Sequence, residues 1–179
     1  MLSPVMLIRT LQPEDAAAYQ ALRLRGLAEV PTAFASSWEE EQGTPLEAVA
    51  RRLRPDETGA VFGAFTSSQL VGLAGVQRES MVKLRHKAWL WGMYVSPEHR
   101  RSGVGSRLLE HALPYVWQSL GVAQVHLGVH TGNVSALALY RRFGFEVWGT
   151  ERGALIVARE PQDEHHMVCR APPASRCAP

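Results

Sequence analysis

The order of elements in this chain predicts a mixed α/β (α+β) fold, a twisted and mostly antiparallel sheet with helices layered on it. Three observations carry that expectation. Residues 60–66 and 70–79 are β-prone runs joined only by Ser67-Ser68-Gln69, which makes them an antiparallel hairpin. Leu108, Leu109, Ala112, Leu113, Val116 and Leu120 recur at helical spacing between two further strand-like runs, residues 88–95 and 122–130. A strand, a helix and a strand in that order form a parallel, right-handed unit.

The remaining elements follow along the chain. Residues 5–10 are short, apolar and β-prone. Pro13-Glu14-Asp15 opens a helix, because proline suits a first turn and acids favour its positive end. Leu22, Leu24, Leu27 and Val30 carry the apolar stripe of that helix to Pro31. Residues 32–42 read as an irregular connection in which Trp38 precedes Glu39, Glu40 and Glu41. These acids suit either a solvated helix start or a negative rim that draws in a cation. Residues 45–53 form a second short helix. Lys83-Leu84-Arg85-His86-Lys87 is a basic loop, too short and too poor in aromatics to engage nucleic acid.

The long helix spans residues 103–120 and contains Pro114. That residue removes a backbone donor and clashes with the Glu110 carbonyl at a cost of about 3 kcal/mol, so a kink is expected. Residues 133–143 form a short helix with Asn133 as N-cap and Gly144 as the left-handed residue past its end. Residues 145–150 and 165–170 are the last strands. The chain is thus one domain, residues 1–170, of about six or seven strands and about four helices. Residues 171–179, Ala-Pro-Pro-Ala-Ser-Arg-Cys-Ala-Pro, read as a disordered tail.

Composition sets the outer bounds. The 179 residues are 46% hydrophobic and 20% charged, which supplies a core that needs no disulfide or structural metal. A net charge of +2 is too small to imply nucleic acid, yet it permits a local anion site. Cys169 and Cys177 form no C-x-x-C pair and fit a reducing, cytoplasmic setting, with Cys169 buried and Cys177 loose. No apolar run approaches the roughly 18–20 residues of a membrane span, and no signal peptide is expected. Met6 is an alternative start to Met1.

The segment that carries chemistry is Val95-Ser96-Pro97-Glu98-His99-Arg100-Arg101-Ser102-Gly103-Val104-Gly105-Ser106. A strand ends, a proline turns the chain, and two glycines open a helix. Gly103 and Gly105 let a ligand approach the backbone closely. The first amides of the helix are unpaired at its positive end, so they suit a phosphate. Arg100 and Arg101 can add charge-assisted bonds. A P-loop is excluded because Ser106 and Arg107 stand where Lys and Ser or Thr are needed. A dinucleotide fingerprint is excluded because Leu108 replaces its third glycine.

This segment resembles motif A of the GNAT superfamily, the acetyl-CoA-dependent N-acetyltransferases. Arg100, Gly103 and Gly105 match its Arg-x-x-Gly-x-Gly pattern, and Val95-Ser96-Pro97 is the usual lead-in. Asn133, Ala136, Tyr140 and Phe143-Gly144-Phe145 resemble motif B, one helix and one strand later. The resemblance covers residues 5–170. It implies a strand bulge near Met93, Tyr94 and Val95 that splays this strand from the next, with the pantetheine arm in the gap. It places the pyrophosphate on the amides of Arg101, Ser102, Gly103, Val104, Gly105 and Ser106. It adds Asn133, Ala136 and Tyr140 to the cofactor-binding residues, and it implies a homodimer.

The implied reaction moves an acetyl group from acetyl-CoA directly to a primary amine of a small molecule or peptide, without a metal. An amine of pKa near ~10.4 must first lose a proton. By resemblance Tyr140 is the acid for the departing thiolate, and an amide near Met93 or Tyr94 receives the oxyanion. The strand 88–94 contains no carboxylate for the base. Glu79 is the leading candidate, with His86, His130 or ordered water as alternatives. Trp38, Trp89 and Trp91 are candidates for an acceptor pocket or for core packing. Glu164-His165-His166 is not a metal site, since strand neighbours point apart. A non-catalytic acyl-CoA-binding module on the same fold is the alternative function.

Overall fold

A computed structural model describes residues 6–173. The choice of start at Met1, the strand residue Val5, Cys177 and the expected tail from residue 174 onward lie outside the described residues. The order is β1 (Met6–Thr10), α1 (Ala16–Glu29), α2 (Trp38–Glu41), α3 (Leu46–Leu53), β2 (Gly59–Thr66), β3 (Gln69–Arg78), β4 (Lys87–Val95), α4 (Val104–Gln118), β5 (Gln124–His130), α5 (Val134–Arg142), β6 (Glu146–Val157) and β7 (Glu160–Arg170). Seven strands form one sheet in the order β1-β2-β3-β4-β5-β7-β6. Among the described residues only β4 and β5 are parallel; every other neighbour pair is antiparallel.

Alternation along the strands sends residues to two cores. Phe62, Val71, Leu90, Val125 and Leu127 meet Leu108, Leu109 and Val116 of α4 on one face. Val61, Phe65, Leu73 and Tyr94 meet Tyr19, Leu22 and Leu27 of α1 and Leu53 of α3 on the other. Most elements fall within a residue or two of expectation. Ser67 and Ser68 make the β2–β3 turn with φ of 47° and 69°. Asn133 caps α5 by accepting from the Ala136 amide at 3.1 Å, and Gly144 has φ of +85°.

Helix α4 runs through Pro114 without a break, as expected. Two features differ from expectation. The segment 32–42 contains a helical turn, α2, closed by a reciprocal cap in which Ser37 accepts from the Glu40 amide and Glu40 accepts from the Ser37 amide. With Glu40 in that cap and Glu41 paired to Arg23 at 2.8 Å, two of the three acids serve the fold rather than a free negative rim. The final strands are 12 and 11 residues long, joined at Ala158-Arg159, where the sequence predicts two short ones. Asp163 supports the irregular part of this hairpin, accepting from the Gly153 amide at 2.9 Å and from Arg152.

Arg23 is 7% exposed, and its guanidinium lies over the Phe34 ring at 4.7 Å. Burial pushes the Glu41 carboxyl up, but the hydrogen bond and charge of Arg23 outweigh it and leave the group below the ordinary range. Removing one partner of such a pair strands the other charge. Arg23→Met is expected to destabilise the protein by about 2 kcal/mol at neutral pH, because Glu41 keeps some access to water. The pair's contribution is complete above the unfolded carboxylate pKa and is lost as pH falls through the lowered folded value. Urea unfolding across acid pH checks both; a Met variant as stable as the parent overturns the assignment.

Candidate active site

The site begins where β4 and β5 part. They pair at Lys87↔Gln124, Ala88↔Val125 and Trp89↔His126, and the ladder ends there. From Leu90 to Val95 the groups that β4 directs toward β5 have no strand partner. On its other side β4 carries an extra residue: Leu73 faces Tyr94 and Gly75 faces Trp91, so Gly92 and Met93 together oppose Ala74. Gly92 has φ of +63°. The bulge therefore sits one residue earlier than expected, at Gly92-Met93, because only Gly92 takes the left-handed turn at no steric cost.

The gap widens into a cleft of about 1060 Å³ bounded by β4, β5, the start of α4 and one side of α5. Gly103 caps α4 with φ of 86° and ψ of 0°, and no side chain bonds to that end. Arg107 is the first residue to bond back, to the Gly103 carbonyl at 3.0 Å, so the amides of Val104, Gly105 and Ser106 are left facing the cleft. Arg101 is also left-handed, with φ of 61°. Alternating handedness of this kind turns successive amides toward one point and makes an anion nest. The two glycines do different work. Nothing lies within 4 Å of a Cβ at Gly103, whose requirement is conformational, whereas a Cβ at Gly105 meets Leu139 at 3.0 Å and Met93 at 3.4 Å.

All residues expected to hold the cofactor line this cleft except Ser102, whose hydroxyl turns back to the His99 carbonyl at 2.7 Å. Arg100 lines the cleft, and its guanidinium also has partners in the protein. Its Nε donates to the Val95 carbonyl at 2.9 Å and its Nη2 to Glu29, so it clamps the loop to the end of α1. Glu29 also accepts from the Tyr94 hydroxyl at 2.7 Å; burial and that bond raise the Tyr94 pKa to about 12. The Tyr94 side chain thus belongs to the second core, although Tyr94 also lines the cleft. Arg101 has no side-chain partner among the described residues and is free for a phosphate. Arg142, which the sequence reading did not single out, lines the same cleft and donates to the Ser106 hydroxyl.

Tyr140 is 7% exposed, packs its ring on Phe145 with centroids 5.7 Å apart, and lines the cleft. Its hydroxyl bonds to no described residue and is not among the fully sealed polar atoms. Burial raises its pKa, so the phenol stays protonated and available as a donor.

Glu79 lies away from this cleft. The β3–β4 register pairs Arg78 with Ala88, which puts Glu79 beside the start of β4, about 20 Å of strand from Val95. There its carboxylate accepts from Trp89 Nε1 at 2.8 Å. His86 is at that same end. His130 lines the cleft, but its Nδ1 accepts from the Gly132 amide at 3.2 Å and its Nε2 contacts Gln162 at 3.0 Å. Trp91 lines the cleft; Trp38 and Trp89 do not. Glu164 is outside the cleft lining but stands beside one of its residues, Gly128. A Cβ at Gly128, a cleft residue, would stand 3.0 Å from Glu164 Oε2. Burial pushes this carboxyl up and neighbouring Glu151 adds to the rise, against His166 and His130. Only the greater length of β7 brings Glu164 there, which short final strands conceal. Among the described residues no group of three His, Cys, Asp or Glu is placed to hold a metal, and no helix is long and apolar enough to cross a membrane.

The family model described as Acetyltransferase (GNAT) family matches residues 25–145. The chain belongs to the GNAT family. Its relatives include mycothiol acetyltransferase of Salinispora tropica, 30% identical over 118 residues. That match takes in 65% of this chain and 38% of the relative, so this GNAT chain spans well under half of that protein's length. A GNAT acetyltransferase from Streptococcus pneumoniae superposes with a TM-score of 0.82 at 22% identity, covering 94% of this chain and 100% of that one. The yncA protein of Salmonella typhimurium, solved with its cofactor acetyl-CoA, does so with a TM-score of 0.77 at 19% identity, over 95% and 99%. The residues present fit the cosubstrate of the GNAT family. Free amides and Arg101 suit a pyrophosphate, and the unpaired edge of β4 suits an arm that carries amides of its own.

Proposed function

We propose that this protein transfers an acetyl group from acetyl-CoA to a primary amine by direct attack. The carrying observation is that one cleft joins three things: unpaired amides at the start of α4, the unpaired inner edge of β4, and the hydroxyl of Tyr140. Acetyl-CoA supplies an acetyl group held as a thioester. The start of α4 and Arg101 hold its phosphates, and the β4 edge holds and aligns its arm. A β4 amide at the bulge stabilises negative charge on the carbonyl oxygen. Tyr140 gives a proton to the sulfur.

The cleft is lined from both faces of the sheet, by Leu127 and Val129 on one and by Trp91 and Gly128 on the other. The amine therefore enters from the Trp91 face, opposite the cofactor. Glu164 stands on that face, carries charge opposite to an ammonium, and has a raised pKa suited to receiving its proton. Pairing as a homodimer belongs to the same proposal, and sedimentation tests it.

Thiol release from acetyl-CoA across a panel of amines, amino acids and peptides tests the transfer, with CoA binding measured alongside. Amine-dependent release is expected; CoA binding without release on any amine favours the non-catalytic module, and absence of CoA binding overturns both. Glu164→Gln is expected to lower kcat about tenfold near neutral pH, with the loss shrinking at alkaline pH as free amine accumulates. An unchanged pH–rate profile in that variant removes Glu164 from the mechanism.

A further inference from the structure

Behind Trp91 lies a second, smaller cavity of about 200 Å³, lined by Arg51, Arg52, Arg54, Asp56, Gln77 and Trp91. Trp91 borders both this cavity and the cleft. Its indole lies flat on the sheet because position 75 is glycine: a Cβ there would stand 2.3 Å from the ring. One aromatic plate therefore forms the shared wall between the acetyl-transfer cleft and an arginine-lined recess.

The recess holds more positive charge than its own residues balance. None of the three arginines has an ion-pair or side-chain hydrogen-bond partner among the described residues. The single acid in the lining, Asp56, has its Oδ1 occupied by the Thr58 amide, the Thr58 hydroxyl and the Gly59 amide at 2.7, 2.6 and 3.0 Å. Arg51 and Arg52 stand in the last turn of α3, where cations complement the carbonyl end of a helix. Arg54 lies past that end, so the helix does not account for it. On the opposite side of β4 from this recess, Glu164 and Glu151 give the sheet face the other sign. A ligand lying across Trp91 meets carboxylates at one end and guanidinium groups at the other.

We propose that Arg51, Arg52 and Arg54 form an anion subsite for the acceptor, which is an amine that also carries a carboxylate or a phosphate. This rests on the transferase reading above and narrows its substrate class. The amine end faces Glu164 and the thioester, while the oxyanion takes the planar, forked donors of the arginines. Trp91 sets the spacing between the two.

The test is calorimetric binding to protein saturated with CoA, so that the pyrophosphate loop is filled and no turnover occurs. The probes are paired: O-phosphoethanolamine against ethanolamine, which lacks the phosphate, and Ala-Asp-amide against Ala-Asn-amide, which changes the charge at nearly the same shape. The anionic member is expected to bind about tenfold tighter, with the preference shrinking as salt is raised. The phosphate and peptide arms tell which oxyanion the recess prefers. In the triple variant Arg51→Gln/Arg52→Gln/Arg54→Gln the preference is expected to collapse toward unity while CoA affinity reports an intact fold. Equal affinity within both pairs, no binding by any probe, or a preference that survives in the triple variant overturns the proposal. Because the readout is binding, an anion preference without thiol release counts against the transferase reading alone. Thiol release without an anion preference counts against the subsite alone.

Discussion

Tyr140→Phe is expected to reduce turnover about a hundredfold or more while leaving CoA affinity unchanged, the usual scale for losing a general acid. The structure makes this substitution informative. The ring packs on Phe145 and phenylalanine keeps that contact. The hydroxyl has no partner among the described residues, so its removal leaves none of their buried groups unsatisfied and stability should change little. Any fall in rate then belongs to chemistry. The raised pKa adds a second signature: the phenol remains protonated where the amine deprotonates, so the rate should not fall at ~10, where an ordinary tyrosine ionises. Thiol release and calorimetry on the variant decide the matter. Unchanged turnover removes Tyr140 from the proton path.

Gly103→Val is expected to weaken CoA binding about a hundredfold, through the backbone alone. A side chain at this position has open space around it, so no clash explains a loss. The residue sits at φ of 86°, where a β-branched side chain is strained. Relaxing that strain swings the amides of Val104 and Gly105 off their common target. Gly103→Asn is the matching control, because asparagine tolerates the left-handed region and should retain more of the affinity. Calorimetry with CoA ranks the three proteins. Parent-like affinity in Gly103→Val refutes the assignment of the pyrophosphate loop.

The parts of this protein that announce themselves in sequence are those fixed by local geometry. Gly103 and Gly105 are spaced by the needs of one turn, Asn133 and Gly144 mark the two ends of α5, and helical spacing from Leu108 to Val116 marks α4. The residues that escaped depend on which strand lies beside which. Glu164 reaches Gly128 only because β7 inserts between β5 and β6 and extends back to Glu160. Its strand shows no clean apolar alternation, since both faces of that hairpin are partly open to water. Glu79 depends on pairing in the same way: β3 runs antiparallel to β4, so the residue after β3 lies beside the start of β4, at the opposite end from Val95. Arg100 matched a pattern correctly, yet its neighbours Glu29 and the Val95 carbonyl give it a clamping task that no spacing reveals.

The split between β4 and β5 also makes this a sheet with a seam. Among the described residues the strand pairing between its two leaves is three rungs long, Lys87 to Trp89, and α4 packs across strands of both. A bound arm that bonds to the inner edge of β4 would behave as a temporary strand, closing the seam while it is present. Each catalytic cycle would then stitch and unpick the middle of the sheet, and the amides from Leu90 to Val95 would report which state the protein is in by how readily they trade their hydrogens with solvent.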